Sequence, residues 1–266
     1  MAKAGTRTRW LALLLLAAAC SGSNAVGKGS TKLPPGADAQ EAYEQALLGF
    51  RRGDCLSAEP QFREIRKEFP YSRFAALSEL RVADCLFKDE KYPESIQMYR
   101  QFVRARPSHP EIPYARFRIA EAYFEQVPSG WFMTPPSYQR DLTAARDSLV
   151  QLRRFIVDFP DDDRVPEAQQ LIEECMELLA QHELWVAQFY LKRDAYQGVI
   201  ARLKGMLASY PGTSSEPKAL LLLGETYLKA DDPDSAQETF LELVQRHPES
   251  PQAAKAQSKL SKLPKG

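Results

Sequence analysis

Apolar positions recur at three- and four-residue intervals through most of the chain, the period of helices that bury one face. Prolines stand at the ends of these amphipathic segments, in Glu68-Phe69-Pro70, Ala105-Arg106-Pro107, Asp158-Phe159-Pro160, Ser209-Tyr210-Pro211 and Arg246-His247-Pro248. The intervals between them are 37, 53, 51 and 37 residues. One helical unit of about 37 residues, used five times and lengthened by insertions in the two middle intervals, accounts for all of them. Proline ends each unit because it lacks the N–H that another helical turn would need. The pattern predicts an all-α chain.

The last unit carries Leu223-Gly224-Glu225-Thr226-Tyr227, then Ala236 and Phe240 four residues apart, then Pro248. A small residue and a tyrosine in one helix, an Ala and a Phe in the next, and a closing proline are the signature of the tetratricopeptide repeat, a pair of antiparallel helices. Ala58 and Phe62 keep the second-helix pair in the first unit. Val82-Ala83 with Tyr92, Ser95 and Tyr99 mark the second, Ile119-Ala120 with Tyr123 the third, and Val186-Ala187 with Tyr190 the fourth. The expectation is an α-solenoid of about five helix pairs. The first insertion, 125–141, holds three prolines and the aromatics Trp131, Phe132 and Tyr138, and reads as a long loop, either for partner contact or as a passive hairpin folded onto the solenoid. The second precedes the fourth unit, where 166–192 contains no Gly and no Pro after its first residue and predicts one helix of about 40 Å. It joins an N-terminal half, 39–165, to a C-terminal half, 166–266.

The first nineteen residues contain Lys3, Arg7 and Arg9, an apolar run from Trp10 and the small residues Ala17-Ala18-Ala19 before Cys20. The run is too short to span a bilayer and reads as a signal peptide, 1–19. Ala17-Ala18-Ala19-Cys20 resembles a bacterial lipobox, which makes Cys20 the lipidated N-terminus, and Ser21 after it resembles the outer-membrane sorting pattern. Residues 20–38 are rich in Gly, Ser and Pro and form a tether. The lipid is then the only expected membrane attachment.

The chain balances 35 basic against 35 acidic residues, and losing the signal peptide's three cations makes it slightly acidic. With no basic stripe, nucleic acid is not an expected partner. The three histidines, His109, His182 and His247, lie far apart, and no phosphate loop, nucleophile elbow or metal motif occurs, so neither an enzyme nor a cofactor or metal is expected. Cys55 and Cys85 each lie 15 residues from Pro70. Folding at that turn sets them opposite one another as a candidate disulfide in an oxidising compartment, or as two small buried side chains. Projecting the repeat places Tyr43, Phe50, Arg51, Phe87, Lys88, Tyr114, Phe117 and Phe124 on the first helices of the N-terminal units. These residues either line an aromatic groove for an extended peptide, with Arg51 or Lys88 receiving its carboxylate, or pack between helices.

The lipobox, tether, five repeats, loop and long helix together resemble the BamD family, lipoproteins of the outer-membrane β-barrel assembly machinery. The most specific stretches are Pro107-Ser108-His109-Pro110 and Val199-Ile200-Ala201-Arg202-Leu203-Lys204-Gly205-Met206-Leu207 running to Tyr210-Pro211. An adaptor for pilus or other envelope assembly would share everything except these stretches. The resemblance implies an outer-membrane lipoprotein on the periplasmic face whose C-terminal half docks on a POTRA domain of a BamA-type barrel protein, with Arg202 at that contact. It implies that the N-terminal half recognises C-terminal signals of unfolded outer-membrane proteins, and that other lipoproteins of the machinery are further partners.

Overall fold

The computed structural model describes residues 38–128 and 135–263. Cys20, the signal peptide, the tether up to residue 37, and Trp131 and Phe132 of the loop lie outside them. The described residues belong to one compact unit. They form eleven α-helices: α1 Ala39–Arg51, α2 Cys55–Glu68, α3 Arg73–Lys88, α4 Tyr92–Ala105, α5 Ile112–Phe124, α6 Thr143–Asp158, α7 Val165–Leu191, α8 Tyr196–Ser209, α9 Glu216–Lys229, α10 Pro233–Arg246 and α11 Pro251–Leu260. Each helix packs on the next in chain order, and α1–α3, α5–α7, α7–α9 and α9–α11 also touch. The pairs α1/α2 to α9/α10 are the five repeats, and α11 covers the end of the last. Its two buried residues, Ala253 and Ala256, are too small to announce a sixth unit in the sequence.

The same local chemistry bounds every repeat. The residue before each proline, Phe69, Arg106, Phe159, Tyr210 and His247, leaves the helical region with φ between −125° and −140° and ψ between 54° and 65°. The proline ring forces this departure by crowding the backbone that precedes it. The turn inside a repeat is also conserved in shape. Gly53, Glu90, Asp194 and Asp231 adopt φ between 55° and 82°, and the N–H of the following residue returns to the carbonyl five residues before it, at 2.9–3.2 Å. This reversal satisfies the last carbonyls of the first helix. Among the described residues the third repeat lacks it, because residues 125–141 stand between α5 and α6.

Packing follows the small-residue and aromatic code. Ala83, Ala120 and Ala187 are buried where first helices approach their partners, and a Cβ on Gly224 would collide with the Phe240 ring. Phe62, Tyr99, Phe155 and Phe240 are fully buried second-helix residues. The second insertion is the 27-residue α7. The far end of the loop folds back on it: His182 Nδ1 lies 2.7 Å from the Tyr138 carbonyl and Leu142 is buried beside Leu179.

Candidate functional site

The inner side chains of α3 and α5 meet through a buried charged network as well as through apolar packing. Arg81 and Asp84 share one stripe of α3 with Lys88, and Tyr114, Arg118 and Glu121 share one of α5. Asp84, 1% exposed, accepts hydrogen bonds from the hydroxyls of Tyr99 and Tyr114, the latter at 2.7 Å, and pairs with Arg81 Nη1 at 2.6 Å. Arg118 donates from Nε to the Tyr99 hydroxyl at 3.3 Å and from Nη1 to Glu121 at 2.6 Å. Two cations therefore face two carboxylates, and both phenols donate to Oδ1 of Asp84 while the Arg81 ion pair meets its Oδ2, which helps to keep charge buried here. Burial raises the pKa of both phenols, and the Asp84 carboxylate raises them further. For Arg81, burial acts against the charge, and Asp84 together with Tyr114, Tyr43 and Tyr99 more than offsets it.

This network carries an aromatic and cationic surface. The Arg118 guanidinium lies 3.7 Å from the Phe87 ring centre. Lys88 Nζ stands 4.0 Å from the centre of the Phe50 ring and donates to the Phe50 carbonyl at 3.3 Å. Arg81 and Arg164 flank the Tyr114 ring at 5.4 and 5.5 Å. Phe50, Phe87 and Tyr114 are half-buried and Lys88 is exposed. Four of the eight residues projected onto the groove are thus brought together. Arg51 is exposed outside this stack. Tyr43 and Phe117 are corrections: both are buried, Tyr43 against Phe62 and Phe74, Phe117 against Phe155 of α6. A first helix presents rings to its own partner as well as to the inner face, and the repeat register alone does not separate the two directions. Phe124 likewise packs on the cluster of Leu142, Leu149 and Leu179.

Sequence reasoning missed Arg81, Asp84, Tyr99, Arg118 and Glu121. The available signal was the pair of opposite charges three apart on each helix, Arg81/Asp84 and Arg118/Glu121, set among positions that are otherwise apolar.

A second surface surrounds Arg202 on α8. Its guanidinium pairs with Glu183 of α7 at 3.0 Å while the side chain stays 46% exposed. Glu183's hydrogen bond holds the arginine's pKa up. The pair borders a cavity of about 470 Å³ whose wall includes Tyr190, Gly198, Ala201 and Gly205. Those three small residues are a single stripe of α8. A side chain at Gly205 would meet nothing within 4 Å, so its smallness serves the surface and not the core.

Cys55 and Cys85 are both buried and unbridged. The histidines have structural partners: His109 Nδ1 accepts from the Glu111 N–H at 3.1 Å, and His247 Nε2 meets the buried Glu216 at 3.1 Å.

A family model described as an outer membrane lipoprotein (YfiO) matches residues 35–239, and a tetratricopeptide repeat model matches 221–260. An outer membrane protein assembly factor BamD of Caulobacter vibrioides is 27% identical over 218 residues, covering 82% of this chain and 69% of its own. One of Neisseria gonorrhoeae is 26% identical over 216 residues, covering 80% of each. Among solved structures, a tetratricopeptide protein of Thermus thermophilus overlaps 85% of this chain and 98% of its own, with 16% identity and a TM-score of 0.37.

Proposed function

The chain belongs to the BamD family of outer membrane lipoproteins, and from that premise we propose that it is a binding scaffold for assembling outer-membrane proteins. Anchored by lipid on Cys20 at the periplasmic face, its C-terminal half holds a POTRA domain of a BamA-type barrel protein. Its N-terminal half takes C-terminal segments of unfolded outer-membrane proteins, and other lipoproteins of the machinery join the same complex. Insertion is carried out by the barrel partner, and this chain contributes binding free energy alone.

The observation that carries the reading is the surface around Arg202. A half-exposed guanidinium, oriented by Glu183, stands beside a helix stripe of small residues, with Ala201 and Gly205 open to solvent and Gly198 packed against the Tyr190 ring. A partner's backbone can approach such a stripe closely while its carboxylate joins the arginine, whose planar fork suits that pairing. On the N-terminal surface, Phe50, Phe87 and Lys88 offer ring faces and one exposed cation to an extended segment ending in an aromatic residue and a carboxylate.

Affinity capture from detergent-solubilised outer membrane, with the native chain and with Arg202→Glu, tests the reading. BamA is expected with the native chain and strongly depleted with the charge-reversed one. Full retention by Arg202→Glu removes this arginine from the interface, and absence of BamA from both captures overturns the reading.

A further inference from the structure

Cys55 is the first residue of α2, and Cys85 lies in the last turn of α3. The two helices are antiparallel and packed along their length, so the start of one faces the end of the other. Both side chains are buried, at 3% and 0% exposure, and each thiol lies near enough to act on the other's pKa. The chain's third described cysteine is different: Cys175 is buried among Leu142, Leu149 and Leu179. A buried cysteine needs no cysteine neighbour to be stable, and Cys175 is the internal demonstration.

We infer that Cys55 and Cys85 are joined by a disulfide in the mature protein, stapling the first repeat to the second at the edge that carries Phe50 and Lys88. The inference rests on the proposed periplasmic location, because that compartment is oxidising. The oxidant is the disulfide of a periplasmic thiol–disulfide exchange protein. One cysteine thiolate attacks it and forms a mixed disulfide, and the second then displaces the oxidant's sulfur. Two S–H bonds of this chain are lost and one S–S bond is gained. The oxidant's disulfide is reduced to two thiols, which take up the two protons. Once folded, both sulfurs are shut away from solvent, and burial pushes both thiols up from their ordinary range. Closure therefore precedes the seating of α3 on α2.

The position gives the bridge a task. The two repeat turns at this edge, around Gly53 and Glu90, follow directly on Phe50 and Lys88. The link between those two residues is a single Nζ-to-carbonyl hydrogen bond of 3.3 Å with a ring contact. Such an exposed contact is weak by itself. A covalent tie between the helix ends holds the cation over the ring at no further cost in chain entropy.

The test uses the full chain, exported by its own signal, recovered from outer membranes and denatured with N-ethylmaleimide before any reductant. Peptide mass mapping is expected to find Cys55 and Cys85 joined, two hydrogens lighter than the free pair, with Cys175 alkylated. Reduction should then expose both thiols to label. Recovery of Cys55 and Cys85 as fully alkylated, unjoined peptides before reduction overturns the inference. A second measurement compares melting. Reductant should lower the Tm of the native chain by about 5 to 10 °C and leave the Cys55→Ala/Cys85→Ala chain unmoved, whereas equal shifts in both would overturn it. BamA capture from the same membranes is scored separately, so unjoined thiols with BamA present defeat only the bridge, and joined thiols without BamA defeat only the partner assignment.

Discussion

The N-terminal and C-terminal repeats solve the same packing problem with different materials. Between α3 and α5 the inner layer is joined by Asp84, two tyrosine hydroxyls and two arginines, all largely withdrawn from water. In the last repeat, α9 and α10 close mainly by apolar fit, with Phe240 lying where Gly224 leaves room for it, and the buried Glu216 at the start of α9 is met by Arg246 and His247 at the end of α10. Apolar closure tolerates a sealed surface, whereas the charged junction keeps guanidinium and ring faces at the edge of solvent. The two repeats that add this charged junction to the apolar code, the second and the third, are the ones that present Phe87, Lys88 and Tyr114. The C-terminal half keeps its exposed charge outside the code altogether, on α8, where Arg202 stabilises nothing in the core.

The strongest way to break this comparison is Asp84→Ala. It strands two buried arginines and two phenols, and should cost about 3 to 5 kcal/mol, read by urea denaturation. Hydrogen exchange should show the loss over α3 to α5 and spare α9 and α10. Equal loosening of both halves would mean that the network does not belong to the N-terminal junction. Gly224→Val is the converse test. Pressing a branched side chain into the Phe240 ring should cost about 1 to 3 kcal/mol, confined to α9 to α11 in the same exchange measurement.

Alkaline pH sharpens the contrast without any substitution. The folded pKa values of Tyr99 and Tyr114 lie above that of an unfolded tyrosine, near 10. The unfolded chain therefore loses these protons first. Stability from the pair is fully present below about pH 10 and is lost as pH rises above it. Tyrosine absorbance and helix content followed together should show the N-terminal repeats yielding first, and a Tyr99→Phe/Tyr114→Phe chain should lose that early step. Lys88→Ala has the smallest expected effect on folding, within about 0.5 kcal/mol. It should still weaken binding of a peptide ending in phenylalanine by about fivefold, measured by calorimetry. Unchanged affinity would take Lys88 out of the recognition surface.

Much of the architecture was legible because it rests on rules that act over a few residues. Phe69-Pro70 and its four counterparts end helices through a clash with the preceding residue, wherever they stand in the fold. Leu223-Gly224 with Phe240 announces a close helix approach through side-chain size alone, and the stretch after Pro166 announces α7 by the absence of anything that would stop it. The site was legible only in part. Phe50, Phe87, Tyr114 and Lys88 came together as the repeat register suggests, but Tyr43 and Phe117 turned inward. The residues that hold the surface in place were not anticipated.

The sequence by itself determined the repeat count, the helix ends, the long helix and the family, since each is written in spacing and local backbone chemistry. Only the tertiary structure decided which rings face outward, that Asp84 is shared by Arg81, Tyr99 and Tyr114, and that Cys55 meets Cys85. Those facts depend on the rotation of one helix against another, which is set by the summed packing of all their side chains. A charged residue in a helical pattern reads as solvated until the hydrogen-bond donors that take the place of water, 15 and 30 residues away for Asp84, are brought alongside.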